Sequence, residues 1–166
     1  ILNLKLPWLW SDISLNPNIT MEIIEKYNFL QWDYYWLCLN SNITLPFIEK
    51  YHENLYWVYD HYSRNSHIDY NFVLENLNQP WNWEELSCNQ NINIDFILQY
   101  PNLPWEWSNY GLSSNHNITF DLVLKTLVKP WDFGVFGLSS NNCVDFNIVE
   151  TNNFNWYWGG YGLSTN

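Results

Sequence analysis

Residues 80–105 read Pro80-Trp81-Asn82-Trp83-Glu84-Glu85-Leu86-Ser87-Cys88-Asn89-Gln90-Asn91-Ile92-Asn93-Ile94-Asp95-Phe96-Ile97-Leu98-Gln99-Tyr100-Pro101-Asn102-Leu103-Pro104-Trp105, and the reading of this stretch decides the fold. It opens and closes on Pro-Trp, and the same pattern recurs along the chain. The landmark tryptophans Trp8, Trp32, Trp57, Trp81, Trp105, Trp131 and Trp156 are spaced by 24, 25, 24, 24, 26 and 25 residues. A second landmark follows each one: Asn16, Asn40, Asn65 and Asn89 lie eight residues after their Trp, and Asn115, Asn141 and Asn166 lie ten after. The two extra residues come with glycine, in Tyr110-Gly111-Leu112, Phe136-Gly137-Leu138 and Tyr161-Gly162-Leu163. A fixed period of this length is the signature of a repeat architecture. The units run 7–30, 31–55, 56–79, 80–103, 104–129, 130–154 and 155–166, the last one partial.

Each unit contains two segments that read as short helices. In the capped segment, Thr20, Thr44, Asp69, Asn93, Thr119 and Asp145 stand where a side-chain oxygen can accept from free N–H groups of a first helical turn. A β-branched residue precedes each cap, and an apolar residue follows four positions later (Ile24, Ile48, Val73, Ile97, Val123, Val149), the spacing of a hydrophobic staple. In the Trp segment, Pro7, Pro80, Pro104 and Pro130 directly precede the landmark, which predicts Pro at the first helical position. Asp33, Asn82, Glu106 and Asp132 then fall near the positive end of the helix dipole. The recurring Asn reads as a left-handed residue that stops this helix.

Helices of about eight residues do not stand alone in water, so each unit must be held by its neighbours. The predicted fold is all-α, a solenoid of six to seven helix pairs. The alternative is a leucine-rich-repeat-like α/β horseshoe, since Leu37-Cys38-Leu39 with Asn42 fits its strand signature. Against it, Arg64, Ser114 and Ser140 fall in a slot that should be buried. The landmark tryptophans are the expected core.

Composition narrows the function. The 166 residues are 47% hydrophobic and 20% aromatic, with 12 Trp, which excludes disorder. Six basic against 17 acidic residues give a net charge of −11, which disfavours nucleic acid and anionic membrane surfaces and favours a protein partner with a basic surface. Apolar runs are too short for a transmembrane helix. The chain starts at Ile1 without Met or a basic stretch, which reads as a fragment without a secretory leader. Cys38, Cys88 and Cys143 sit in three different slots, which suits neither a disulfide framework nor a metal site and points to a reducing, intracellular compartment.

His52, His61, His67 and His116 form no metal-ligand spacing; Asp60-His61 is the one acid/base pair, confined to one unit. No nucleophile elbow or P-loop is present, so neither a catalytic residue nor a cofactor is expected. Three Asn-Ile-Thr triplets, at Asn18, Asn42 and Asn117, match the glycosylation acceptor but are accounted for by the staple and cap. The variable aromatics Tyr35, Trp36, Tyr56, Tyr59, Tyr110 and Phe136 are candidates for an exposed binding face, which would also suit stacking on sugars.

Pro80-Trp81-Asn82-Trp83 with Leu86-Ser87 and Asn89, and Asn16-Pro17-Asn18-Ile19-Thr20, together resemble a tandem repeat of large amoeba-infecting DNA viruses, a P-W-D-W-x-x-L-S-x-N-x-N-I-T unit followed by a short apolar helix. The 26 Asn and the absence of Ala fit an AT-rich source of that kind. Gln31, Tyr56 and Asn155 depart from the pattern before the Trp, and Leu9 and Val58 after it. The resemblance implies a viral repeat protein, located in the infected host cell or the virion, but no particular activity. The functional expectation is a non-enzymatic binding scaffold, with a structural virion component and a carbohydrate-binding module as alternatives.

Overall fold

The computed structural model describes residues 7–51, 53, 55–160 and 162–163, with the side chains of 55–57 left aside. Asn166 and the side chains of Tyr56 and Trp57 therefore lie outside the described residues. The fold is all-α and solenoid-like: ten α-helices and two 3-10 turns, with no strand among the described residues. That sets aside the horseshoe with strands.

The Trp segments form α1 (Trp10–Leu15), α3 (Tyr34–Leu39), α5 (Leu55–Tyr62) and α7 (Trp83–Cys88), continued by the 3-10 turns Leu112–Ser114 and Leu138–Ser140. They stack in one column, α1 on α3, α3 on α5, and α7 on the first 3-10 turn. The capped segments form a second column: α2 (Met21–Lys26), α4 (Leu45–Tyr51), α6 (Tyr70–Glu75), α8 (Ile94–Gln99), α9 (Phe120–Lys125) and α10 (Phe146–Thr151).

Between the columns runs a thin core in which equivalent positions repeat. Leu37, Tyr62, Leu86, Leu112 and Leu138 form one row, Ile43, Ile68, Ile92, Ile118 and Val144 a second, and the staple residues from Ile24 to Val149 a third, all buried. Such a row gives each unit apolar surface that only its neighbours can cover.

The local chemistry differs from the sequence expectation at the start of the Trp helices. Pro80 and Trp81 precede α7 rather than opening it, and Asn82 is its N-cap, accepting from Glu85 N–H; Asp33 caps α3 in the same way. The side chain that was expected to interact with the dipole thus bonds the free N–H groups directly. In the units at 104–129 and 130–154 the Trp segment forms no α-helix. Glu106 and Asp132 accept instead from Ser108 N–H and Gly134 N–H, and the chain turns into a 3-10 turn held by Leu112 N–H to Glu106 O (2.7 Å) and Leu138 N–H to Asp132 O (2.8 Å).

This closure explains the inserted glycines. A Cβ on Gly111 would collide with the backbone carbonyl of Glu106, and one on Gly137 with that of Asp132. Backbone atoms at the base of a turn cannot step aside. Gly111→Ala is therefore expected to lower stability by about 2 kcal/mol. Gly160→Ala, where nothing lies within 4 Å, should leave a thermal melt unchanged; equal melts for the two variants would refute the steric account.

Among the capped helices, Asp69, Asn93, Thr119 and Asp145 accept from the N–H three residues on, as expected. Thr20 makes no side-chain bond to the free N–H groups of its helix; its hydroxyl bonds the Glu22 carboxylate instead and helps hold it below its ordinary pKa. The Thr44 hydroxyl faces Met21 Sδ at 3.6 Å, reaching back to the preceding unit.

The junction between units

The landmark Asn does not stop a helix through a left-handed backbone. Asn40, Asn89, Asn115 and Asn141 have φ between −66° and −85° and extended ψ, and no non-glycine residue has positive φ among the described residues. The reason lies in the side chain. Asn40 Nδ2 donates to Ser14 O and Asn16 O of the preceding unit, and Asn65, Asn89, Asn115 and Asn141 repeat the pair of bonds at 2.7–3.2 Å. Each Oδ1 accepts from the N–H two residues on, at 2.8–3.0 Å from Asn16 to Asn141. One buried amide thus uses both of its donor hydrogens across the junction and its acceptor within its own unit. Asn16, which opens the described array, is exposed.

Two further rows join the units. The buried Ser14, Ser63, Ser87, Ser113 and Ser139 each accept from the N–H of the residue after the next landmark Trp, at 2.9–3.1 Å. Five landmark tryptophans meet the edge or face of the aromatic two residues after the previous landmark. Trp10–Trp32, Tyr59–Trp81, Trp83–Trp105, Trp107–Trp131 and Phe133–Trp156 lie 4.8–5.8 Å apart at 76–87°. This edge-to-face geometry suits the ring quadrupoles. The indole Nε1 of Trp32, Trp81, Trp105, Trp131 and Trp156 donates at 2.9–3.2 Å to a carbonyl at the end of the capped helix before it. Tryptophan therefore fills the core and caps a helix C-terminus with one side chain.

These contacts correct two expectations. Trp8, at 37% exposure, is not buried with the other landmarks of the core. Tyr59 is buried at 3% exposure, not part of an open face, because it is the ring on which Trp81 packs. Tyr59 is also pushed up to about 12 by burial and by its hydroxyl's bond to the Glu49 carboxylate (2.9 Å). Burial raises Tyr62 as well, and its hydroxyl donates to Ile43 O at 3.2 Å. A tyrosine harder to ionise when folded contributes stability in full below its unfolded pKa of about 10 and loses it as pH rises toward the folded value. Stability should accordingly fall between about pH 10 and 12. A Tyr59→Phe variant should show a shallower fall in denaturant midpoint over that range; an identical slope would contradict the assignment.

Candidate interaction surface

Seven of the 17 carboxylates lie in the Trp segments. Between each landmark Trp and its Asn the described chain has Asp12, Asp33, Asp60, Glu84, Glu85, Glu106 and Asp132, against one cation, Arg64. Arg64 Nε donates to the Glu85 carboxylate of the next unit, so its charge is already compensated. The lysines Lys26, Lys50 and Lys125 lie instead at the ends of the capped helices, where Lys50 pairs with Glu25 (2.9 Å) and Lys125 with Asp121 (2.6 Å). The other ten carboxylates lie outside the Trp segments together with the lysines, so both columns are acidic and the Trp segments differ in holding no lysine.

At the centre of the acidic face is a cleft of about 150 Å³ lined by Tyr35, Leu39, Asp60, His61, Arg64, Asn82 and Glu85, residues of three successive units. Asp60 Oδ2 is 3.2 Å from His61 Nδ1, and Asp60 Oδ1 accepts from Asn82 Nδ2 at 2.9 Å. The ring of Tyr35 packs edge-on against His61 with centroids 4.8 Å apart. The pair noted in the sequence is therefore held in place, but no hydroxyl or thiol nucleophile lines the cleft beside it except the Tyr35 phenol.

Of the other aromatic candidates, Tyr110 and Phe136 are 65% and 63% exposed on the glycine insertions, and Trp36 is half-buried. They do not join Tyr35 in a single patch around the cleft. The serine row and the second aromatic of Trp-x-Trp were missed in the sequence. Their signal was present, a small polar residue two before each landmark Asn and a ring two after each Trp.

No group of three or more His, Cys, Asp or Glu side chains able to hold a metal occurs among the described residues. No helix there is long and apolar enough to cross a membrane. The three cysteines are free thiols. Cys38 takes the place of the buried serine and is pushed up to about 12 by burial; Cys88 Sγ donates to Tyr110 O at 2.8 Å. Cys38 is expected to resist a thiol reagent in the native protein and to react at once in denaturant, a difference that a timed titration would detect. Comparison with models of protein families, with curated proteins and with solved structures finds no match to this chain, so its function rests on the geometry above.

Proposed function

We propose that the chain is a non-enzymatic scaffold that binds a protein partner through the acidic face of its Trp-segment column. The observation that carries this reading is that the Trp segments hold seven carboxylates and no lysine, with their single arginine already paired. A potential of one sign over a rigid surface attracts a partner of the other sign and repels wrong ones. The cleft at Tyr35, Asp60 and Glu85 gives that face relief, so a projecting Lys or Arg of the partner can enter between carboxylates. The resemblance to viral repeats supports an infected host cell or a virion as the setting.

The test is a capture experiment from infected host extract with the wild-type chain and an Asp12→Lys, Asp60→Lys, Glu84→Lys triple variant. The reading expects a defined protein to be retained at low salt, released as salt rises, and retained at least about tenfold less by the variant. A partner held equally by both proteins would overturn it. The exposed rings Tyr110 and Phe136 favour a second reading, sugar stacking; glycan-array binding lost on replacing both with Ser would support it.

A further inference from the structure

The position directly after the buried staple residue is held in turn by Glu25, Glu49, Leu74, Leu98, Leu124 and Glu150. One place in the repeat is therefore acidic in the first, second and sixth units and leucine in the three between. It lies about 100° round the helix from a residue that faces the core, on the outside of the capped column. Leu98 and Leu124 are accordingly 44% and 45% exposed, and Leu74 is half-buried. Three residues further on, in the turn after each helix, Leu77, Pro101 and Leu127 repeat the pattern and are exposed as well, with Val128 beside them. Successive capped helices lie within side-chain reach of one another: Tyr70 of α6 meets Phe96 of α8, ring centroids 5.5 Å apart. Exposed leucines scattered singly need no explanation, but two rows of them confined to three successive units form an apolar stripe, the mark of an interaction site.

We propose that this stripe docks an amphipathic helix of a partner protein, laid across α6, α8 and α9 with its apolar face on the leucines and with Lys or Arg at both of its ends. Three helices side by side at 8–10 Å make a stripe about 20 Å long, the length of about 13 helical residues at 1.5 Å each. An apolar stripe of that length is read by residues at i, i+3, i+4 and i+7 of the incoming helix. The charges select its ends. In the outward row Glu49 precedes the stripe and Glu150 follows it, and Glu75 adjoins Leu74. The two lysines beside Leu124 and Val128 are engaged, Lys125 with Asp121 (2.6 Å) and Lys129 over the Trp107 ring (5.1 Å to its centroid). A second copy of the chain does not suit the site. A two-fold axis at Leu98 would set Leu74 against Leu124 but also Glu49 against Glu150, between two chains each of net charge −11. The site goes beyond the binding role given to the Trp segments, since it lies on the capped column and has an apolar floor.

Fluorescence anisotropy with three synthetic helical peptides tests it. All three carry leucine at the same helical spacing and differ only at their ends, which are Lys, Glu or Ser. Wild type should bind the Lys-ended peptide at least about tenfold more tightly than the Glu-ended one, and the gap should narrow as salt rises. A Leu98→Glu, Leu124→Glu variant should bind the Ser-ended peptide at least about tenfold more weakly than wild type does. It introduces only the residue that Glu25 and Glu150 already place there, so its circular dichroism melt should match wild type. Leu127→Ser, outside the helices, should give a smaller loss of the same sense. Asp60→Asn, in the Trp-segment cleft, should leave peptide binding unchanged, and the leucine variant should still retain a partner captured through the Trp segments, so either site can fail without the other. Absence of binding by all three peptides at up to about 1 mM overturns the proposal, as does equal affinity for Lys and Glu ends. So does a wild-type dimer in sedimentation velocity that the leucine variant abolishes, which would make a second copy the occupant.

Discussion

Asn89→Ala is expected to destabilise the protein by about 4 kcal/mol, a large loss for an amide swapped in the middle of a small repeat array. The substitution removes two donated bonds, to Ser63 O (2.9 Å) and Asn65 O (3.1 Å), and one accepted from Asn91 N–H (2.9 Å). Asn65 O still receives Ile68 N–H, so its loss is partial. The other two groups must find new partners at a junction where Asn89 itself is only 5% exposed. A buried polar group left without one costs about 1–3 kcal/mol, and two or three such groups give the quoted sum. Asn89→Asp should be no milder, because a carboxylate cannot donate and would face carbonyl oxygens. The exposed Asn102→Ala should change stability by less than about 0.5 kcal/mol. Chemical denaturation of the three variants checks the order; an Asn89→Ala midpoint within error of wild type would remove the ladder from the account of stability. Since the broken junction lies in mid-array, the transition should also split in two, with units on either side unfolding separately.

Trp105→Ala is the second large effect, expected at about 3–5 kcal/mol. The indole is 5% exposed, packs edge to face on Trp83 (5.3 Å) and Phe96 (5.4 Å), and donates to Tyr100 O at 2.9 Å. Truncation opens a cavity at the meeting point of both columns and leaves the end of α8 without its cap. Trp105→Phe separates the two contributions. It keeps an aromatic ring in place but not the Nε1 donor, and should recover roughly half of the loss. Recovery of all of it would show that the hydrogen bond contributes nothing, and recovery of none that packing contributes nothing.

The period, the two-segment unit and the core rows were legible in the sequence because they depend on residue type and spacing alone. Trp81, Ile92 and Ile97 are apolar at fixed intervals, and burial follows from that pattern. The capping residues Asp69, Asn93, Thr119 and Asp145 were legible for a similar reason, since their partners lie three residues away. The role of Asn89 was not, because its partners are 24 and 26 residues distant and are backbone atoms without identity in the sequence. A residue that recurs beyond a helix end then reads as a local stop signal when its bonds are in fact to another unit. Tyr59 was misplaced for the same reason. It varies among Trp, Phe and Tyr along its row, and variation suggested exposure, whereas the row asks only for a ring. At the candidate surface the acids themselves were plain, but the cleft that Asp60 and Glu85 line depends on how successive units stack.

The amide ladder has a direction. Every described Nδ2 reaches back toward the preceding unit, and every carbonyl that receives it points forward. The dipoles of successive rungs therefore add along the axis instead of cancelling, as they do along a helix and do not in a flat sheet. Each junction therefore has a donor side and an acceptor side that are not interchangeable, so a reversed unit could not be inserted into the array.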